Sequence, residues 1–186
     1  RQKLQRANIP EERASVEVAD ITSFHLGRTF DFIIAPFRVL QNLERDDPVN
    51  GLFNCIDKHL SPNGRCILNV FNPKPPDVIR QRMTTWGEQL AWETSIGDVC
   101  ITCHDSIPRF DLEKQILYPE LIYRSHKGNM LEKETVLKIV MRFYYPHQFE
   151  ALIAAHGFKI LNRWGGYAGE PYGQGAELVV EFGHGG

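Results

Sequence analysis

Residues 30–35 read FDFIIA and are followed at once by Pro36. Apart from Asp31 the run is apolar, and a strand without polar alternation is one covered on both faces, as in parallel sheets flanked by helices. Pro36 lacks an amide donor and stops the strand. The pattern recurs downstream, where RCILNVFNP at 65–73 is a second apolar run stopped by Pro73. Between the two, Val49, Leu52, Phe53, Ile56 and Leu60 recur at helical spacing. They predict an amphipathic helix over 48–60 with Asp57, Lys58 and His59 turned to solvent. Ser61-Pro62-Asn63-Gly64 has the chemistry of a turn. Strand, helix, turn and strand in that order predict a parallel sheet within an α/β domain.

Upstream, ASVEVAD at 14–20 alternates and stops at Asp20, which predicts another strand, and RQKLQR at the front reads as the end of a charged helix. After PKPP the pattern changes. A helix is expected over 77–92, then strands over 98–105, 114–125 and 134–145, the last two joined through HKGN, a glycine-containing hairpin turn. The α/β pattern returns with a helix opening on Pro146, burying Phe149, Leu152 and Ile153 and stopping at Gly157. FKILNRW and AELVVEF, joined by a glycine-rich loop, read as an antiparallel pair, and the final GHGG as a frayed end. The expected organisation is α/β over 1–92, an antiparallel β meander inserted over 93–145, and a return to the α/β core over 146–186.

With 186 residues, 42% hydrophobic and 24% charged, the chain has room for one sizeable core. A net charge of -2 supplies no positive field for nucleic acid or an anionic membrane surface. No apolar run approaches the roughly 20 residues of a membrane span, and no leader pattern opens the sequence. The expectation is a cytoplasmic protein with a small-molecule partner. Its 4 cysteines are too few for a disulfide scaffold and are expected as free thiols.

In an open parallel sheet, ligands bind beyond the carboxyl ends of the strands, where loop side chains and helix N-termini converge. Here those ends are ADITSF, APFRVLQ and VFNPKP. With the stretches 16–73 and 143–182 around them, these segments resemble class I S-adenosylmethionine-dependent methyltransferases of the small-molecule type. The resemblance implies a Rossmann-like methyltransferase sheet, S-adenosylmethionine as cofactor and a small-molecule methyl acceptor. It implies that Asp20, with Ile21 and Thr22, receives the adenine, since an ionised carboxylate only accepts and suits an exocyclic amine. Ala35, Pro36 and Phe37 would line the methionine part and the reacting methyl, with Gln41 one helical turn on. Phe71 and Asn72 would face the acceptor. Separately from the resemblance, Tyr145, which with Tyr144 precedes the late helix, is a candidate for lining the substrate pocket, with core packing as the alternative. No catalytic residue is assigned: a sulfonium carbon is already electrophilic and chiefly needs alignment, and for a hydroxyl or protonated-amine acceptor, which needs a general base as well, the sequence names none.

The resemblance also has gaps. The family's glycine-rich loop and ribose-binding acid precede the part that matches, so the sheet is expected to lack its first two strands, and the chain alone to bind the cofactor weakly or not at all. Two other readings compete: a noncatalytic methyltransferase-like interaction module, and a nicotinamide-dependent oxidoreductase. The inserted meander is either a substrate cover or a homodimer contact. An isolated Asp20 would more simply cap a turn. Cys100-x-x-Cys103-His104 is half a zinc site with its cysteines on opposite strand faces, so no metal is expected. WGGYAGEPYGQG lacks the Lys-Ser/Thr ending of a phosphate loop. His25 and the His104-Asp105 pair are the remaining acid–base candidates, without identified partners.

Overall fold

The computed structural model describes residues 2–8, 10, 13–85 and 87–185, without the side chains of 4, 5 and 82–85. In chain order the elements are α1 (Gln2–Arg6), β1 (Phe30–Ala35), a 3-10 turn (Val39–Asn42), α2 (Asp46–His59), β2 (Leu60–Phe71), α3 (Pro76–Thr85), β3 (Gln89–Ile96), β4 (Val99–Asp111), β5 (Ile116–Lys127), β6 (Met130–Lys138), β7 (Met141–Arg142), α4 (Pro146–Ala155), β8 (Phe158–Trp164) and β9 (Glu177–His184). One sheet has the order β1-β2-β9-β8, and the other has the order β3-β4-β5-β6 with β7 beside β5. In the first, β1 runs parallel to β2, while β9 is antiparallel to both β2 and β8. The second sheet is antiparallel throughout.

Helix α2 forms where the sequence places Asp46 and Asp47 in its first turn and Lys58 in its last, charges that complement the helix dipole. Its stripe of Val49, Leu52, Phe53 and Ile56 packs on Cys66, Leu68 and Val70 of β2 and Leu178, Val180 and Phe182 of β9, with Phe149 and Ile153 of α4 completing the core. Each such side chain fully removed from water contributes about 1.5–3 kcal/mol. A smaller cluster of Ile79, Leu117 and Phe143, flanked by Phe71, Ile107 and Met141, joins the second sheet to the first. All four cysteines are free thiols, and burial pushes that of Cys66 up to about 12.

Several sequence expectations change. FDFIIA is covered on one face only: β1 is an edge strand, and Phe32 and Ile34 are 51% and 57% exposed. Residues 14–20 are extended but unpaired, because a strand exists only through its ladder and no described segment lies along that edge for them to join. Ser61–Gly64 lie inside β2 instead of forming a turn. They are the extra residues between the Phe30↔Leu60 and Phe32↔Arg65 pairs, a local irregularity that lets the strand leave α2 directly. The helix expected to reach Trp92 ends at Thr85, since the alternating segment 89–96 finds a partner in β4.

The second sheet differs in detail from the expected meander. Strand β4 runs on to Asp111 past a register shift at 106–109, and the strand expected over 134–145 is two, β6 and β7. Gly183 and His184 continue β9 rather than fraying. Arg1 and Gly186 lie outside the described residues. His59 is 1% exposed rather than solvated.

Candidate functional site

The parallel strands β1 and β2 end side by side at Ala35 and Phe71, and the bend beyond β1 has an unusual backbone. Phe37 and Arg38 both have φ of 59°, a left-handed conformation that disfavours residues with a Cβ by roughly 1–2 kcal/mol each. A polar cluster holds the bend. The Arg38 N–H donates to Asn69 Oδ1 at 3.2 Å, Asn69 Nδ2 donates to Glu177 Oε2 at 2.9 Å, and the Arg38 guanidinium clamps the same carboxylate, with Nε 3.0 Å from Oε1. Phe37 itself is 91% exposed at this rim.

Asp20 forms a tight turn: its Oδ1 accepts from the Thr22 N–H at 2.8 Å and the Thr22 hydroxyl at 2.7 Å. The backbone bond first and the hydroxyl second hold this exposed carboxyl below its ordinary range. Thr22 rests on α2 at Gly51, where an added Cβ would stand 2.7 Å from the Thr22 carbonyl oxygen. One turn on, the Cys55 thiol donates to the Phe24 carbonyl at 3.6 Å. One further turn on, His59 Nε2 accepts from the Leu26 N–H at 3.0 Å while its Nδ1–H donates to the Cys55 carbonyl at 2.7 Å. The segment therefore descends alongside α2, from its N-terminal half to the start of β1. Asp20–Thr22 thus lie toward the end of the sheet at which Ala35, Pro36 and Phe37 emerge.

Phe71 and Asn72 line a cleft of about 650 Å³ between the two sheets, walled by Ile79, Ile107, Leu117, Leu121, Ile139 and Met141, with Arg38, Lys74, Asp105 and Gln174 as its charged and polar members. Asn72 Nδ2 donates to the Gly173 and Gly175 carbonyls at 2.8 and 2.9 Å, fixing the 165–176 loop as one edge of the cleft. Gln41 is fully buried beneath the rim, where its amide already bridges the Phe71 N–H and the Arg142 carbonyl. Tyr145 sits behind the cleft, edge-on to Phe143 at 5.7 Å. Burial first, and the nearby Asp77 second, raise its hydroxyl pKa.

Asp105 and His104, adjacent on β4, point to opposite faces. His104 meets Arg124 and Glu88 on the outer face, and Asp105 enters the cleft. Sequence reasoning passed over Arg38, Asn69 and Glu177; the signal was a lone Asn inside the apolar run ILNVF. Among the described residues no group of three or more His, Cys, Asp or Glu is placed to hold a metal ion, and no helix is long and apolar enough to cross a membrane.

A sheet of parallel strands with one antiparallel strand inserted next to last, a cleft at its carboxyl rim and an antiparallel sheet over that cleft make a Rossmann-like α/β fold. The comparison with solved structures agrees: the chain has the fold of S-adenosylmethionine-dependent methyltransferases. One from Clostridium acetobutylicum matches 100% of this chain and 69% of its own at a TM-score of 0.73 and 14% identity. DesVI of Streptomyces venezuelae matches 99% of this chain and 70% of its own, with a TM-score of 0.68 and 14% identity. The sugar N-methyltransferase KedS8 of a Streptoalloteichus species matches 87% of this chain and 60% of its own, with a TM-score of 0.63 and 14% identity. No family model and no curated protein matches the sequence.

Proposed function

We propose that this protein transfers the methyl group of S-adenosylmethionine to a small-molecule acceptor. The observation that carries this reading is the location of the Asp20–Thr22 turn and the strained Ala35–Arg38 bend toward one end of the parallel strands, beside an apolar cleft of ligand size.

The residues fit such a cofactor chemically. Asp20 is held ionised, so its carboxylate is an acceptor for an adenine amino group, with Ile21 and Thr22 beside it. Ala35, Pro36 and the exposed Phe37 ring offer an apolar and aromatic surface for a methionine chain and a sulfonium cation. Gln41 supports the rim from below, while Phe71 and Asn72, backed by Tyr145, belong to the acceptor side. Bound there, the cofactor supplies an electrophilic methyl carbon. The chain's own residues align the acceptor and exclude water. KedS8 is named as a sugar N-methyltransferase, which supports a small-molecule acceptor. The edge strands β3 and β6, exposed along their whole length, support a homodimer contact through the second sheet.

Calorimetric titration of the full encoded protein with S-adenosylmethionine tests the reading. Saturable binding that weakens in Asp20→Asn is the expected result. Binding of NADH with none of S-adenosylmethionine would transfer the assignment to an oxidoreductase, and binding of neither would favour the interaction module.

A further inference from the structure

The polar groups of the cleft are mostly engaged with one another. Arg38 is clamped on Glu177, and the Asn72 amide is consumed by the Gly173 and Gly175 carbonyls. Lys74 is exposed at the mouth, where water screens its charge. Among the described residues this leaves Gln174 and Asp105, and Asp105 has no hydrogen-bond or ion-pair partner there although it is half-buried on β4 against Leu121. The apolar side chains of the remaining wall include Phe71, Ile79, Ile107, Leu117, Ile139 and Met141.

The apolar surface continues past the cleft. Residues two apart on a strand share a face, so Cys103 and Tyr123, paired across β4 and β5, extend the side that carries Asp105 and Leu121. Trp92, paired with Cys103, stands edge-on to Tyr123 with ring centroids 6.1 Å apart.

A polyhydroxylated sugar taken into such a site would lose water from hydroxyls that find few free partners, which is unfavourable for every one left unpaired. An apolar skeleton loses nothing by the same transfer, and a single cationic amine would meet the one unpaired carboxylate. We propose that the acceptor is a hydrophobic amine rather than a sugar: its hydrocarbon or aromatic body lies along Leu121, Ile107 and the Trp92–Tyr123 pair, and its ammonium group is received by Asp105, whose carboxylate takes the one proton the nitrogen must lose before its lone pair can accept a methyl group. This deepens the methyl-transfer reading and rests on it, with Asp105 as the residue that sets acceptor specificity.

The test uses 2-phenylethylamine, 2-phenylethanol and glucosamine as probes, titrated by calorimetry into the full encoded protein without methyl donor. The expected result is 2-phenylethylamine binding about 10-fold more tightly than either of the others, a single charge-assisted contact being enough for that ratio. Asp105→Asn reduces 2-phenylethylamine to the level of 2-phenylethanol and leaves the latter unchanged, while Ile107→Asn weakens both aromatic probes alike. Glucosamine binding as tightly as 2-phenylethylamine, an Asp105→Asn protein that holds the amine undiminished, or binding of none of the three overturns the proposal. Because no donor is present, these outcomes are independent of whether S-adenosylmethionine binds, so the two readings fail separately.

Discussion

Phe37 occupies a conformation that glycine adopts freely, yet its ring is almost wholly exposed and gains nothing from burial. Phe37→Gly should therefore stabilise the protein by about 1 kcal/mol, read as a raised urea midpoint, while weakening S-adenosylmethionine binding. A variant destabilised by the change would mean that the ring supports the fold. Glu181 is the opposite case, a carboxylate 9% exposed that accepts from Asn162 at 2.6 Å and from Arg65 at 2.9 Å. The Asn162 bond first, then Arg65, depress its pKa. A depressed folded-state value contributes stability above the unfolded value of about 4.3 and loses it as pH falls through the lower folded one. Glu181→Gln should thus destabilise by about 1–2 kcal/mol at pH 7, with the gap to the parent closing in urea melts below about pH 4. A gap independent of pH would remove the charge from the explanation. Such polar members of the core are where the sequence was least readable. His59 falls on the polar side of a helical wheel, and only the descending 22–26 segment, invisible to periodicity, covers it.

Elements with a clean apolar period were legible even where their partners are distant in sequence, because periodicity reports a face and α2, β2, α4, β8 and β9 each bury the face their pattern announces. The errors fall where pairing decides. ASVEVAD alternates like a strand, but alternation does not supply a ladder, and QLAWETSI reads as part of a helix because a strand exposed along its whole length buries no apolar face to mark it, although its partner β4 follows directly. The site divides along the same line. Positions 35–37 lie at the end of β1 and positions 20–22 at the end of an alternating run that joins no ladder among the described residues, whereas Arg38 and Asp105 meet their neighbours across distant elements. The element on which the proposed adenine side depends is α2, through the contact between Gly51 and Thr22. Gly51→Ala gains roughly 1 kcal/mol of helix propensity and places a methyl 2.7 Å from the Thr22 carbonyl. The expected outcome is nearly unchanged thermal stability with loss of S-adenosylmethionine affinity, as segment 20–22 lifts from the helix. Full affinity in this variant would separate that segment from the cofactor.

At the scale of the molecule, the cleft exists because two sheets of different construction are held at a fixed separation, and one side chain bonds to both. Gln41 leaves the 3-10 turn after β1, accepts from Phe71 at the end of β2 and donates to the Arg142 carbonyl of β7, which pairs with β5 of the second sheet. The apolar cluster of Ile79, Leu117 and Phe143 lies in the same seam but is non-directional. Gln41→Leu keeps most of the volume and leaves a half-buried N–H and a half-buried carbonyl without their partner, a loss of about 1–3 kcal/mol for the two together. If the bridge fixes the spacing, its removal should do more than lower the unfolding midpoint. Hydrogen exchange should quicken in β7 and at the neighbouring end of β5 while β9 and α2 remain protected, and acceptor KM should rise more than donor KM. Uniformly faster exchange across both sheets would indicate that the amide serves global stability alone, with the apolar seam sufficient to hold the cleft open.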